Sequence, residues 1–491
     1  MLLQVGEDAP RAPPFTARTG TCARVAPGHS ARVGATLSEP MVRETNAEDP
    51  RVMPDGAAAK QEESGAGTPL ERVFWLDGVS LPPSSAEPLP SKADVLVVGS
   101  GYTGLSAARE TAAAGCATVV LDAGPIGGGC SSRNGGQVAF SFKPSLDELT
   151  ARHGRSVAER LYEEGYESIA QLRESASDGT LDCDWREVGS FCGAHSRRHL
   201  EALERKADAL PEQLRKRVSI VPRDRLDEEI ASPLYHGGLV VHDDAAVNPA
   251  RIVVSLDARA RAAGARVYGN TAVRAIDRVG REFDVATTRG RILARRVLIA
   301  TNGYTGRFSP WHRRRVLPIG SYIIATEELD PAIVRRLIPR GRNVGDTRRV
   351  VTYVRPSPDG RRILFGGRAS AGERDVVRLV PRMRQMMTQM FPDLARVRIT
   401  HAWMGFVAYT FDTMPHLGEQ DGLFHCLGYC GQGVPHAIYY GRKAGLRMLG
   451  APGGDSALIG LAFPSRPYYT GWPWFLPATV AFYRLRDRLA I

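Results

Sequence analysis

One short segment restricts the choice of fold more than any other. An apolar run, Asp94-Val95-Leu96-Val97-Val98, leads into Gly99-Ser100-Gly101-Tyr102-Thr103-Gly104, which opens a small-residue stretch from Gly101 to about Gly115. This is strand, G-x-G-x-x-G turn and helix in that order. The first glycine permits the tight turn out of the strand. The second lets the backbone approach a pyrophosphate, and the third lets helix and strand pack closely. The helix N-terminus adds free N–H groups and about half a positive charge. A second strand, Thr118-Val119-Val120-Leu121, ends at Asp122, 23 residues after Gly99, where a ribose hydroxyl needs an acceptor. The expectation is a βαβ dinucleotide-binding unit; a glycine-rich turn that binds nothing fits this context poorly.

Composition sets the outer bounds. The chain has 491 residues, 43% hydrophobic and 24% charged, the make-up of an ordinary globular protein of two or three domains. No run reaches the ~18–20 apolar residues of a membrane span. The net charge is +11, but only six of the 64 basic residues are lysine, and no five-residue basic run occurs. Nucleic acid is therefore not an expected partner. The seven cysteines include no paired metal spacing; Cys426 and Cys430 have no second pair to match. A reduced, cytoplasmic protein without a metal site is the expectation.

Residues 1–70 differ from the rest. They hold eight prolines, seven glycines and one aromatic, Phe15, with no helical or strand period, and are expected to be disordered. The first 30 positions lack the apolar core of a secretory signal, and nine acidic residues before Leu70 argue against a transit peptide. The segment reads either as a solvated tail or as an extension upstream of a start at Met41 or Met53. Order is expected from Phe74-Trp75-Leu76. Residues 145–210 read as mostly helical. A helix over 249–264 is capped by Asn248 with Pro249 at its first position. Strand signals follow at 265–268, 271–276 and 296–300. Val350 to Arg355 and Arg361 to Gly367 flank a Pro356–Gly360 turn, a hairpin signal, and 435–450 reads as a late helix.

The residues after Asp122 bear on which dinucleotide would bind. Gly127-Gly128-Gly129 runs into Ser131-Ser132-Arg133-Asn134-Gly135-Gly136-Gln137. A small-residue loop with one arginine suits backbone approaching a large flat ring, with Arg133 near the phosphates. A nicotinamide site would start a further strand or helix there.

From Asp94 to Gln137 the chain resembles the amine and D-amino-acid oxidase superfamily of FAD enzymes, most nearly its gamma-glutamylputrescine oxidoreductase branch. The resemblance extends over about 74–488. Thr271-Ala272-Val273 resembles the strand whose backbone meets the adenine. Leu298 to Tyr304, with Thr301, Asn302 and Gly303, resembles the return strand and its turn against FAD. Trp403-Met404-Gly405 through Asp412 to Gly418 resembles the segment entering the flavin pocket. Gly428 to Val434 resembles the glycine turn before the last helix, and Trp472 to Pro477 resembles the branch's ending. Two departures stand out: Asp122 where Glu is commoner, and Gln432 where His is frequent.

The resemblance implies an α/β fold: a Rossmann-type FAD-binding domain with an inserted substrate domain built on an antiparallel sheet, as in glutathione reductase and D-amino-acid oxidase. The FAD unit is expected from 71–150, 236–308 and 403–491. The substrate unit is expected from 151–235, mainly helical, and 309–402. Implied FAD contacts are Gly99, Gly101, Tyr102, Thr103, Gly104, Asp122, Ser132 to Gln137, Val273, Thr301 to Gly303 and Gly431, Gln432, Gly433 and Val434. No cysteine lies between Trp403 and Asp412, where some relatives attach the flavin, so FAD is expected to be non-covalent. Amine oxidation by hydride transfer to flavin needs positioning more than acid–base chemistry, and no catalytic base is assigned. Substrate contacts are expected from Tyr353 and Arg355, two apart on one strand face, with Arg368 and His416 as further candidates.

The resulting expectation is an FAD-dependent amine oxidoreductase of polyamine catabolism. Its electrons would pass to dioxygen or to a quinone or carrier protein. A glycine, sarcosine or D-amino-acid oxidase or dehydrogenase, a non-catalytic flavin-binding protein and a non-flavin NAD dehydrogenase are the alternatives. Trp472 to Leu489 reads as a helix packed on the body rather than a membrane contact.

Overall fold

The computed structural model describes residues 70–139, 142–210, 212–370 and 375–489. The expectations of a disordered tail and of a start at Met41 or Met53 concern residues outside these.

Five parallel strands form the centre of one sheet. In chain order they are Lys92–Val98, Thr118–Leu121, Arg266–Tyr268, Gly290–Ile299 and Leu423–Leu427. Across the sheet they lie 3-2-1-4-5, the Rossmann order. The first strand is apolar from Val95 to Val98, where both of its faces are covered. Val95 and Val97 pack with the helices Tyr102–Ala113 and Gly433–Leu449; Leu96 and Val98 face the opposite way, toward Phe283, Val285 and Ile292. Each fully buried valine or leucine here contributes about 1.5–3 kcal/mol. Strand order reverses between the first and fourth strands, and a crevice opens outside their carboxyl ends.

The second sheet has nine strands and is mostly antiparallel. Its centre is Leu317–Thr326 between Ile399–Tyr409 and Ile363–Gly367, followed by Thr352–Pro356. The helix Val376–Met390 covers it with Val380, Met383, Met387 and Met390, packed with Tyr322, Ile324 and Phe365.

The structure departs from the expected segment boundaries in three places. Residues 151–235 are not only helical: Ser190–Gly193 and Val218–Pro222 are strands of the nine-stranded sheet. Gly237–Val241, assigned by sequence to the FAD unit, lies between those two strands. Ile399–Tyr409 stays whole in that sheet and crosses the expected boundary at 403. The physical reason is common to all three. Strand signals are local, whereas the sheet a strand joins depends on partners far along the chain.

Candidate active site

The two glycine turns, more than 300 residues apart, line one cavity of about 790 Å³. Gly99 leaves the first strand at φ +107, and a side chain there would fall 2.8 Å from the Ala300 carbonyl oxygen. At Gly101 it would meet Ser131 Oγ at 2.7 Å. Gly431, at φ +90, leads into Gly433, the first residue of the 17-residue closing helix. The two helices beyond these turns pack through small residues. A Cβ on Gly445 would sit 2.7 Å from the Ala107 carbonyl oxygen, and Thr103 Oγ1 and Tyr429 OH share a 2.6 Å hydrogen bond. Both N-termini therefore open on the same space with their N–H groups and positive ends.

Asp122 lines that cavity and is half-buried. Its Oδ2 accepts from Ser100 N at 2.8 Å and Ser100 Oγ at 2.6 Å, and its Oδ1 accepts from Gly124 N at 3.1 Å. Burial raises its pKa, opposed by the Ser100 hydrogen bonds. Tyr102, Thr103, Arg133, Asn134, Gly135, Gln137, Val273, Thr301, Asn302 and Val434 also line the cavity. Asn302 Oδ1 accepts from Gly428 N at 2.9 Å, which joins the return strand to the last glycine turn.

Several expected contacts lie behind the wall. Gly104 packs against the Gly99 carbonyl and Val97, as the third glycine of the motif requires. Ser132 is buried and donates to Gly127 O at 2.8 Å. Gly303 lies against the Phe406 backbone, and Gly136 against Val247 O and Arg355. Gln432 precedes the closing helix, but its side chain is buried outside the cavity, and its Nε2 has no hydrogen-bond partner among the described residues. For these five the reason is direction: the backbone beside the cavity turns each of them toward the core.

The 130–137 loop is held by groups from distant segments. Trp75 Nε1 donates to Asn134 O at 2.7 Å, and Trp403 Nε1 to Arg133 O at 2.8 Å. Asn134 Oδ1 accepts from Gly136 N at 2.9 Å. Arg355 completes the clamp, which corrects its expected role. It shares a strand face with Tyr353 but lies about 6.6 Å farther along, beneath the loop. Its Nη1 donates to Gly136 O at 2.7 Å and Val247 O at 3.0 Å. It is 2% exposed and does not line the cavity. Burial, then neighbouring Arg186, pushes its pKa down to about 9. His416 is a second correction. It stacks on Phe463 at 3.9 Å, shares a 3.1 Å hydrogen bond with Asp412, and lies outside the cavity.

Arg368 and Tyr353 do line the cavity, with Tyr409 and Lys143, two residues the motifs did not single out. Arg368 donates to Tyr409 OH and stands 4.7 Å over its ring. Tyr353 OH and Ser321 Oγ are 3.1 Å apart. Burial raises the Tyr409 pKa, but the positive charges of Arg368 and Lys143 outweigh it and hold the phenol below its usual value. Burial pushes Cys130 and Cys430, both in the wall, up to about 11, which disfavours the thiolate. Among the described residues no His, Cys, Asp and Glu cluster could hold a metal, and no helix is long and apolar enough to cross a membrane.

The cavity fits a flavin dinucleotide: glycines that a Cβ would fill, an acid at the end of the second strand, and a helix N-terminus at each turn. Comparison with known proteins agrees. Residues 94–445 match the DAO family model, FAD dependent oxidoreductase. The chain is 33% identical over 406 residues to gamma-glutamylputrescine oxidoreductase of Escherichia coli (strain K12), covering 81% of this chain and 93% of that protein. It is 34% identical to the probable oxidoreductase OrdL of Rhizobium meliloti (strain 1021), covering 81% and 92%. Glycine oxidase from Geobacillus kaustophilus shares the fold, with a TM-score of 0.61 at 21% identity, covering 77% of this chain and 100% of that one. The chain thus belongs to the DAO family of FAD-dependent oxidoreductases, and FAD is its coenzyme.

Proposed function

We propose that this enzyme oxidises an amine that also carries a carboxylate, with a gamma-glutamylputrescine-like compound as the first candidate. One observation carries the reading: Arg368 and Lys143 put positive charge into the same cavity as the two glycine turns, beside Tyr353 and Tyr409. The named function of the Escherichia coli relative supports it. Bound FAD supplies a two-electron acceptor for a hydride from the carbon next to nitrogen.

The chain's residues do the rest. The Arg368 guanidinium grips the carboxylate, and its hydrogen bond to Tyr409 holds it in place. Tyr353, fixed by Ser321, closes the apolar side of the pocket with Val351 and Val407. The Gly99–Gly101 turn, Asp122, Arg133, Val273 and Asn302 hold the dinucleotide. Gly431 and Gly433 aim N–H groups and a helix dipole at its electron-rich end.

Anaerobic mixing of the FAD-loaded protein with a panel of amines tests this. Bleaching of the flavin colour by gamma-glutamylputrescine supports the reading. Bleaching only by glycine, sarcosine or D-amino acids points to the second member of the class. No bleaching by any amine contradicts it. A peroxide assay in air then separates dioxygen from a quinone or carrier as the acceptor.

A further inference from the structure

Six of the seven large apolar side chains that stand exposed among the described residues lie between Tyr468 and Leu485. Trp474 is 63% exposed, Phe482 56%, and Tyr468 and Trp472 55% each. The helix Leu476–Leu489 has its polar side inward. Arg484 Nη2 donates to Arg368 O at 3.1 Å and Ala369 O at 2.8 Å. The Asp487 carboxylate accepts from Arg349 N at 2.8 Å and Val350 N at 2.9 Å. Its outward face carries Ala478, Ala481, Phe482 and Leu485, spaced as one helical stripe. An ordinary surface helix turns that stripe to the core. The stretch before it is anchored by the Tyr469 hydroxyl, donating to Val316 O at 2.7 Å, and by buried Leu476. Tyr468, Trp472 and Trp474 therefore project from a fixed platform.

The helix packs on the body as its sequence reads, through Arg484 and Asp487, but against the sequence expectation we infer that its outward face is a docking site for an anionic lipid bilayer surface. Exposed tryptophans, tyrosine and phenylalanine beside arginines are the chemistry of the headgroup boundary. Charge selects this occupant over a second copy of the chain. Of the charged residues between 466 and 489, Arg484 and Asp487 are both turned onto backbone groups of the body, and the other three, Arg466, Arg486 and Arg488, are all positive. Two such faces would repel, whereas anionic headgroups attract them. The helix is tied to Arg368 and to the residues next to Val351, both of which line the cavity. Docking here sets the edge of the cavity beside the bilayer.

The test is co-sedimentation of the FAD-loaded protein with phosphatidylcholine vesicles and with vesicles containing phosphatidylglycerol. A variant combining Trp472→Ser, Trp474→Ser, Phe482→Ser and Leu485→Ser is run beside it, since these exposed positions leave the core untouched. Expected are binding to the anionic vesicles, weakening at high salt, and partitioning at least about tenfold lower in the variant, with flavin content and amine-dependent bleaching unchanged. No binding of the parent protein, or equal binding by the variant, overturns the inference. So does a parent dimer in light scattering that the variant abolishes, because the occupant would then be a second copy. None of these results bears on amine oxidation, which bleaching reads separately.

Discussion

Gly441 of the closing helix lies directly on Thr103 of the fingerprint helix: a Cβ at Gly441 would stand 2.5 Å from the Thr103 carbonyl oxygen. The contact is with backbone, so an added methyl group must push the helices apart. Gly441→Ala should cost about 1–3 kcal/mol of stability, and Gly441→Val more. Because both helices carry a coenzyme-facing turn at their N-termini, flavin occupancy should fall with stability. Urea unfolding and the flavin-to-protein ratio measure the two effects. A Gly441→Val protein with normal occupancy and midpoint would show that this packing is not needed.

Arg368 and Arg355 should separate cleanly. Arg368→Ala should raise KM for a carboxylate-bearing amine about 10–150-fold, the value of a lost charge-assisted hydrogen bond of ~1.5–3 kcal/mol, and change KM for amines lacking the carboxylate far less. Arg355→Met should leave that discrimination alone and instead lower Tm and loosen FAD, because the Gly136 and Val247 carbonyls lose their buried donor. Steady-state kinetics on paired substrates decides between the roles. The reverse pattern would return Arg355 to the substrate.

What could be read from the sequence follows a physical rule. Gly99, Gly101 and Asp122 were legible as cavity-wall positions because a strand, a G-x-G-x-x-G turn and an acid-ended second strand stand at a fixed local spacing, whereas Gly431 was legible only through the family resemblance. The Asn248 cap was legible for the same reason: its Oδ1 accepts from Ala250 N at 3.0 Å. The choice between Arg355 and Arg368 was not. Both lie on the predicted hairpin or just beyond it, and only the position of the sheet over the 130–137 loop decides which one reaches the cavity. Trp403 stood out as part of a motif, yet its bond to the Arg133 carbonyl spans 270 residues, beyond any local pattern. Lys143 lies in an irregular stretch with no periodicity. The strand Gly237–Val241 announced itself as apolar, but not which sheet it would join.

The wall cysteines should be chemically silent toward the coenzyme. Burial disfavours the thiolate at Cys130 and Cys430, and a thiolate is the attacking species. Acid precipitation should leave all the yellow colour in the supernatant, and Cys130→Ala and Cys430→Ala should retain parental flavin content. Colour in the pellet that either substitution removes would contradict this.

Stability should decline on mild acidification through buried histidines. Burial holds His312 at about 3, with help from Arg315, and lowers His436 to about 3 and His425 well below its ordinary value. Each folded pKa lies below the unfolded value of about 6.5. The unfolded chain therefore takes up the extra protons, and stability falls as pH drops through 6.5. The slope should approach roughly 1.4 kcal/mol per pH unit for each histidine. The difference in urea midpoint between the parent and His312→Phe, followed from about pH 7 to 4.5, separates this contribution from carboxyls such as Asp122, whose raised pKa acts in the opposite sense. A flat profile there, or one unchanged in His312→Phe, would refute it.

The most direct test is to purify the protein, release its coenzyme with acid, identify it and count it. Two turns from distant parts of the chain sharing one cavity predict one FAD per chain, and a Gly101→Val protein, whose side chain would collide with Ser131, should lose it. A chain that stays colourless after incubation with FAD, or that carries NAD instead, would contradict the account.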